Sequence, residues 1–115
     1  MHALLALAAI TLRLAVPPGL RGGESAPVLK LEGFEFVAGE RLRLEILGPH
    51  REVLGVSSLV GSANGGGEVG TMDLVIPLNE RGRKLLAKNE EVTLTLRVRR
   101  GRHRLKWKRA YLTAG

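Results

Sequence analysis

The feature that most constrains the fold of this chain is the recurrence of apolar residues at every second position over short stretches. Between Glu91 and Arg99, for example, Val92, Leu94 and Leu96 alternate with polar residues. Because successive side chains of a strand point to opposite faces, a period of two indicates a strand that buries one face. Such stretches recur about every ten residues with turn residues between them. This spacing is typical of a β-sandwich or barrel.

We therefore predict an all-β antiparallel sandwich of six to seven strands. After the first segment, the predicted strands are 28–36, 41–47, 52–59, 71–78, 91–99 and 102–112. The residues expected to face the core are Leu42, Leu44, Ile46, Met72, Leu74, Ile76, Leu78, Val92, Leu94, Leu96 and Val98. Pro77 has no N–H to donate and is expected at a sheet edge or strand end. Residues 79–89 lose the alternation, so at most one short helical turn or a corner is expected there.

The first sixteen residues have two interpretations. Ile10, Leu12, Leu14 and Val16 lie at alternate positions, which predicts a further strand. The apolar stretch 3–12 is also compatible with a degenerate signal peptide, although no Lys or Arg precedes it. It is too short to span a membrane. We favour the strand, which would be the seventh.

Residues 17–27 contain three prolines and three glycines and show no periodicity, so we predict a linker or long loop. Residues 28–115 would then form the sandwich domain. A strand on a long linker can complete the sheet of a neighbouring molecule, as in β-strand addition. Residues Ile10, Leu12, Leu14 and Val16 are therefore candidate assembly residues.

The net charge of +7 is concentrated in one segment. Residues 97–109 contain eight of the eighteen Lys and Arg residues and none of the eleven Asp and Glu residues. A hairpin that turns at Arg100-Gly101 would place five cations on one exposed face, with Arg100 and Arg102 at the tip. The candidate binding residues are Arg97, Arg99, Arg100, Arg102, Arg104, Lys106, Lys108 and Arg109.

This cationic hairpin has a functional interpretation and a purely structural one. A localised positive patch indicates docking to an anionic polymer or an acidic protein surface. Alternatively, the charges form a solvated face that protects an edge strand. Nucleic acid is the less favoured partner, because single-strand binders add exposed aromatic platforms and Trp107 is expected to face the core.

The sequence offers no catalytic, cofactor or metal site. The chain has no cysteine, and its three histidines lie far apart. Gly65, Gly67 and Gly70 match the spacing of a dinucleotide-binding loop, but a strand rather than a helix is predicted after them. The adjacent pair Glu90 and Glu91 would point apart in a turn. We therefore do not predict an enzyme.

The stretch from Met72 to Val98 resembles a motif of immunoglobulin-like β-sandwich modules in secreted and surface proteins of bacteria. In these modules, a strand ending in leucine precedes a Gly-Arg-Lys-Leu-Leu segment and an alternating Val/Thr strand. The matching residues are Leu78, Gly82, Arg83, Lys84, Leu85, Leu86, Val92, Thr93, Leu94, Thr95 and Leu96. The resemblance implies an immunoglobulin-like fold and a structural or adhesive role, with no catalytic residues.

Two functional hypotheses follow. The first is a non-enzymatic structural subunit that assembles with copies of itself or with other protein subunits. Such a subunit would belong to an extracellular filament, a cell surface or a virion shell, and an extracellular or surface location is expected. The second is a binding module that holds an anionic partner through the basic C-terminal hairpin.

Overall fold

The computed structural model describes residues 8–22, 26–37, 39, 41–60, 69–99 and 105–115. It contains seven strands and two short helices. The strands are β1 (Ala8–Ala15), β2 (Pro27–Val37), β3 (Arg41–Leu47), β4 (Val53–Val60), β5 (Val69–Pro77), β6 (Glu91–Arg99) and β7 (Arg109–Ala114). The helices are α1 (Pro18–Arg21) and α2 (Glu80–Ala87). The predicted all-β class is confirmed, with two short helices where the sequence indicated at most one helical turn.

The strands form two antiparallel sheets that pack face to face as a sandwich. The first sheet has the order β1-β6-β3-β4, and the second has the order β5-β2-β7. Among the described strands, only β3 and β4 are consecutive in the chain and paired with each other. Every other connection leads from one sheet to the other.

The core lies between the sheets and is built from the alternating residues of the sequence pattern. Of the eleven residues on strands β3, β5 and β6 and at Leu78 that were predicted to face inward, ten are buried, and the exception is Met72, which is 36% exposed. Leu105 and Trp107, also predicted to face inward, are half-buried and pack against the core. The largest fully buried side chain is Phe34 of β2. Pro77 is the last residue of β5, an edge strand, as expected for a residue that cannot donate to a ladder.

Helix α2 closes one end of the sandwich. It begins after Asn79, whose side-chain oxygen accepts a hydrogen bond from the N–H of Gly82 at 3.1 Å. This N-cap satisfies one of the backbone donors that a helix start leaves without a partner. Leu86 is fully buried, and Leu85 packs against the core beside it. The two leucines thus cover this end of the core.

The predicted linker contains helix α1 rather than extended chain alone. Leu20 is 4% exposed, and its N–H donates to the carbonyl oxygen of Pro17 at 2.9 Å. Arg21 is held by the carbonyl oxygen of Val16 at 3.4 Å and by Glu90 at 3.6 Å. The chain after β1 is therefore anchored to the sandwich before it reaches β2.

Candidate interaction surfaces

Strand β1 pairs with β6 of its own chain, and Ala8–Ala15 match Val98–Glu91 residue by residue. The described chain has no strand on the other side of β1. Of the four candidate assembly residues, Leu12 and Val16 are buried. The other two, Ile10 and Leu14, are only half-buried, although both contact the core. Within the first sixteen residues, Ala8–Ala15 thus form a strand at the edge of a sheet, and residues 1–7 lie outside the described residues.

The cationic hairpin predicted from the sequence is not formed. Strand β6 belongs to the first sheet and β7 to the second, so Arg97 and Arg99 do not share a face with Lys106 and Lys108. Instead, residues 105–108 run beside β2, where the N–H of Glu35 donates to the carbonyl oxygen of Lys106 at 3.0 Å. The period-two pattern correctly predicted which face of each strand is buried, but it does not predict which strands are neighbours in a sheet.

The cations of this segment therefore occupy two places. Arg97 and Arg99 lie on the outer face of the first sheet, whereas Lys106, Lys108 and Arg109 lie along the second. The side chains of Lys106, Lys108 and Arg109 are exposed. Arg100, Arg102 and Arg104 lie outside the described residues.

On the first sheet, three arginines surround one buried carboxylate. Glu45 of β3 is 5% exposed, and one of its oxygens accepts from Arg97 Nη2 at 2.7 Å and Nε at 2.9 Å. Arg99 Nε is 3.1 Å from the same oxygen, and Arg43 Nε is 3.8 Å from the other. Cross-strand pairing places Glu45 opposite Arg97 and Arg43 opposite Arg99. The strand register itself therefore builds this cluster.

The charges in the cluster decide the protonation of Glu45. Burial on its own would raise the pKa of this carboxyl. The hydrogen bond from Arg97 and the charges of Arg97, Arg99 and Arg43 outweigh burial and hold the pKa below its ordinary value. Glu45 is therefore ionised at neutral pH, and the four residues carry a net charge of +2. The like-charge repulsion that the sequence implied is partly offset by this acid.

Beside the cluster, the outer face of the first sheet forms a shallow groove of about 550 Å³. Its floor is made of small side chains from β1 and β6, and the turn between β3 and β4 forms one wall. The lining residues are Ala9, Thr11, Leu47, Gly48, Pro49, Arg51, Thr93, Thr95 and Arg97. The groove combines hydroxyl groups with two guanidinium groups, which suits hydrogen bonding to anionic or hydroxylated groups.

On the second sheet, the charges are balanced close to Tyr111. The Tyr111 hydroxyl donates to Glu32 at 2.9 Å, and the Arg109 guanidinium lies 4.5 Å from the ring centre. Lys30 is 4.0 Å from Asp73, whose carboxylate also accepts from the N–H of Gly33 at 3.2 Å. Close to Tyr111, two acids thus offset two bases, whereas the exposed Lys106 and Lys108 add two positive charges to the same sheet.

Within the described ranges, no three His, Cys, Asp or Glu side chains lie together in a way that would hold a metal ion. Among the same residues, the helices are too short and too polar to cross a bilayer. Comparison with known families and curated proteins gave no match for the chain. The structure thus establishes a two-sheet sandwich in which the edge strand β1 is paired on one side only among the described strands, and an arginine cluster on one face.

Proposed function

We propose that the protein is a non-enzymatic structural subunit, an immunoglobulin-like sandwich that assembles with copies of itself or with other subunits. Its setting would be an extracellular filament, a cell surface or a virion shell. The observation that carries this proposal is the position of β1 at the edge of the first sheet, with one side of its backbone unpaired by any described strand. Unpaired strand edges are templates for association between chains.

Two of the other edge strands, β4 and β5, are less suited to this role. Strand β5 ends in Pro77, and Asp73 in its middle binds the backbone of β2. The start of β4 is covered, since the N–H and side-chain amide of Asn79 donate to the carbonyl oxygens of Leu54 at 2.7 Å and Val53 at 2.8 Å. Prolines, charges and covering segments are the usual means of blocking an edge. Strand β1 has no proline, and its one charged residue is Arg13.

The proposal is tested by the molar mass of the native protein in solution. Light scattering over a range of concentrations is expected to give a mass above that of the single chain, which is 12.4 kDa. The critical variant is Thr11→Pro, which places a ring on the outer side of β1, with Thr11→Val as the matched control. Assembly lost in the proline variant and kept in the valine variant would support the proposal. A single-chain mass at every concentration would refute assembly between copies of the chain.

A second candidate is a module that docks an anionic polymer or an acidic partner. The net +2 charge of the cluster around Glu45 favours this candidate, since the Arg43 and Arg99 side chains are each 52% exposed. Arginine suits carboxylate and sulfate groups because its guanidinium donates two parallel hydrogen bonds. The groove beside the cluster offers further donors.

Retention on a heparin column tests this second candidate. The double variant Arg43→Gln/Arg99→Gln is expected to elute at a clearly lower salt concentration than the native protein. The matched control is Arg81→Gln/Lys84→Gln, which removes the same charge from exposed positions of α2. Equal shifts of the elution salt concentration in both variants would mean that retention follows net charge alone, and this result would refute the second candidate.

A further inference from the structure

One hydrogen bond at the end of β1 shows which of its backbone N–H and C=O groups face β6 and which face away. The N–H of Val16 donates to the carbonyl oxygen of Glu90 at 2.8 Å, in line with the register that pairs Ala15 with Glu91. In an antiparallel ladder, hydrogen-bonded pairs alternate with non-bonded pairs. Even-numbered residues of β1 therefore bond to β6, and the N–H and C=O groups of Ala9, Thr11, Arg13 and Ala15 point away from it.

These four residues form a ladder edge that fits a second copy of the same strand. Antiparallel pairing of β1 with itself satisfies the outward N–H and C=O groups of both copies and joins two four-stranded sheets into one. Pairing must also keep the inward residues of both copies on the core side, because a shift by one residue would expose them. Near the middle of β1, the pairing registers that meet this condition have their two-fold axis at Thr11, Leu12 or Arg13.

The side chains distinguish these three registers. An axis at Arg13 places two arginines directly opposite each other, which is unfavourable. An axis at Thr11 leaves Leu14 opposite Ala8 of the second copy. An axis at Leu12 places Ile10 opposite Leu14 of the second copy, and Thr11 opposite Arg13. Only this register lets the two half-buried residues of β1 cover each other.

We propose that two copies of the chain pair antiparallel through β1, with the two-fold axis at Leu12. This inference rests on the proposed structural function and specifies the contact between subunits. It needs no separation of β1 from β6, in contrast to strand exchange. Each Arg13 keeps its contact with Glu91, which is 3.5 Å away on the inner neighbour strand. The pairing thus leaves the ladder between β1 and β6 intact.

Disulfide trapping tests the register, because the native chain has no cysteine. We would prepare Thr11→Cys and Arg13→Cys separately, with tags of different size, and oxidise each alone and as a mixture. Opposed residues of an antiparallel pair have Cα atoms roughly 4.5–5.5 Å apart, within the range of a disulfide. The mixture is expected to give a mixed disulfide dimer, and each variant alone is expected to give little.

Other outcomes would overturn the register or the pairing. Efficient dimers of Thr11→Cys alone would move the axis to Thr11, and efficient dimers of Arg13→Cys alone would move it to Arg13. Assembly seen by light scattering without any of these disulfides would refute β1 pairing but leave the structural function standing. A protein that remains a single chain at every concentration would refute the pairing and, with it, assembly between copies of the chain.

The proline variant gives a second readout with a stated size. Thr11→Pro removes an outward N–H but none of the hydrogen bonds from β1 to β6. By symmetry, two hydrogen bonds are lost per dimer, so the dissociation constant is expected to rise about 10- to 100-fold. Analytical ultracentrifugation measures this change, and near-ultraviolet circular dichroism checks that the sandwich is intact. An unchanged dissociation constant in a folded variant would contradict the pairing.

Discussion

Glu45 and Arg97 lie directly opposite each other on strands β3 and β6, and their side chains are joined by a hydrogen bond of 2.9 Å. The carboxylate is almost fully buried, although it projects from the outer face of the first sheet. Three arginine side chains contact it, and Val56 lies opposite it on β4. This pair fixes the local register of the two central strands and the charge of the face above them.

Replacement of Glu45 by glutamine is expected to destabilise the fold. The amide keeps the size of the side chain but leaves three arginines without their shared negative charge. The free energy of unfolding should fall by about 1–3 kcal/mol, the cost of losing charge-assisted hydrogen bonds at a buried acceptor. Urea denaturation measures this loss. As a control, Glu80→Gln breaks an exposed pair with Arg83 on α2 and should cost much less, because solvent screens exposed ion pairs.

The stabilising effect of Glu45 should depend on pH. Its pKa is lower in the folded protein than the ordinary value of 4.5. The unfolded chain therefore takes up this proton first as the pH falls, and stability decreases. The difference in unfolding free energy between the native protein and Glu45→Gln should be full above about pH 5 and decline as the pH falls through the folded-state pKa. A difference that stays constant down to strongly acidic pH would contradict this assignment.

Gly55 of β4 lies against the end of β5. A Cβ atom at this position would lie 2.5 Å from the carbonyl oxygen of Pro77, a backbone atom that cannot rotate away. Gly55→Ala should therefore force β4 and β5 apart and cost about 1–3 kcal/mol of stability. The matched control is Gly19→Ala in α1, where nothing lies within 4 Å of the added methyl group. This control should be neutral or slightly stabilising, because alanine favours helix.

Asn79 connects the end of β5, the start of α2 and the edge of β4. Its oxygen caps the helix, and its amide donates to the carbonyl oxygen of Val53. Asn79→Ala removes both contacts and should lower the free energy of unfolding by about 1–2 kcal/mol. Asn79→Asp keeps an acceptor for the cap but loses the donor, so it should cost less in thermal or urea unfolding. Equal losses in the two variants would mean that the cap contributes little.

The sequence predicted the strands and the buried face well, because both depend on local alternation. Leu42, Leu44 and Ile46 are buried as expected, and so are Val92 and its alternate neighbours on β6. Met72 is the exception. It lies on the edge strand β5, opposite Phe34 of β2, and has a neighbouring strand on one side only, so its side chain stays partly exposed. Burial at an edge depends on neighbouring strands, which alternation does not specify.

The candidate site was predicted less completely. The cationic segment was evident from composition, but its division between two sheets follows from strand pairing across the whole chain. The burial of Glu45 could not be predicted from the sequence, because this residue stands at an outward position between Leu44 and Ile46. Only the register that brings Arg97 and Arg99 beside it makes it buried. The positive φ of 67° at Gly33, where the register of β2 shifts, was likewise unmarked in the sequence.

Because β3 and β4 are the only described strands that are both consecutive and paired, neither sheet can form before distant parts of the chain have met. Closing these long loops costs entropy before any of the apolar contacts is gained. Folding should therefore be slow, in the millisecond to second range typical of β-sandwiches. The β3–β4 hairpin is the one local starting point among the described strands, and it should persist only once the second sheet packs against it.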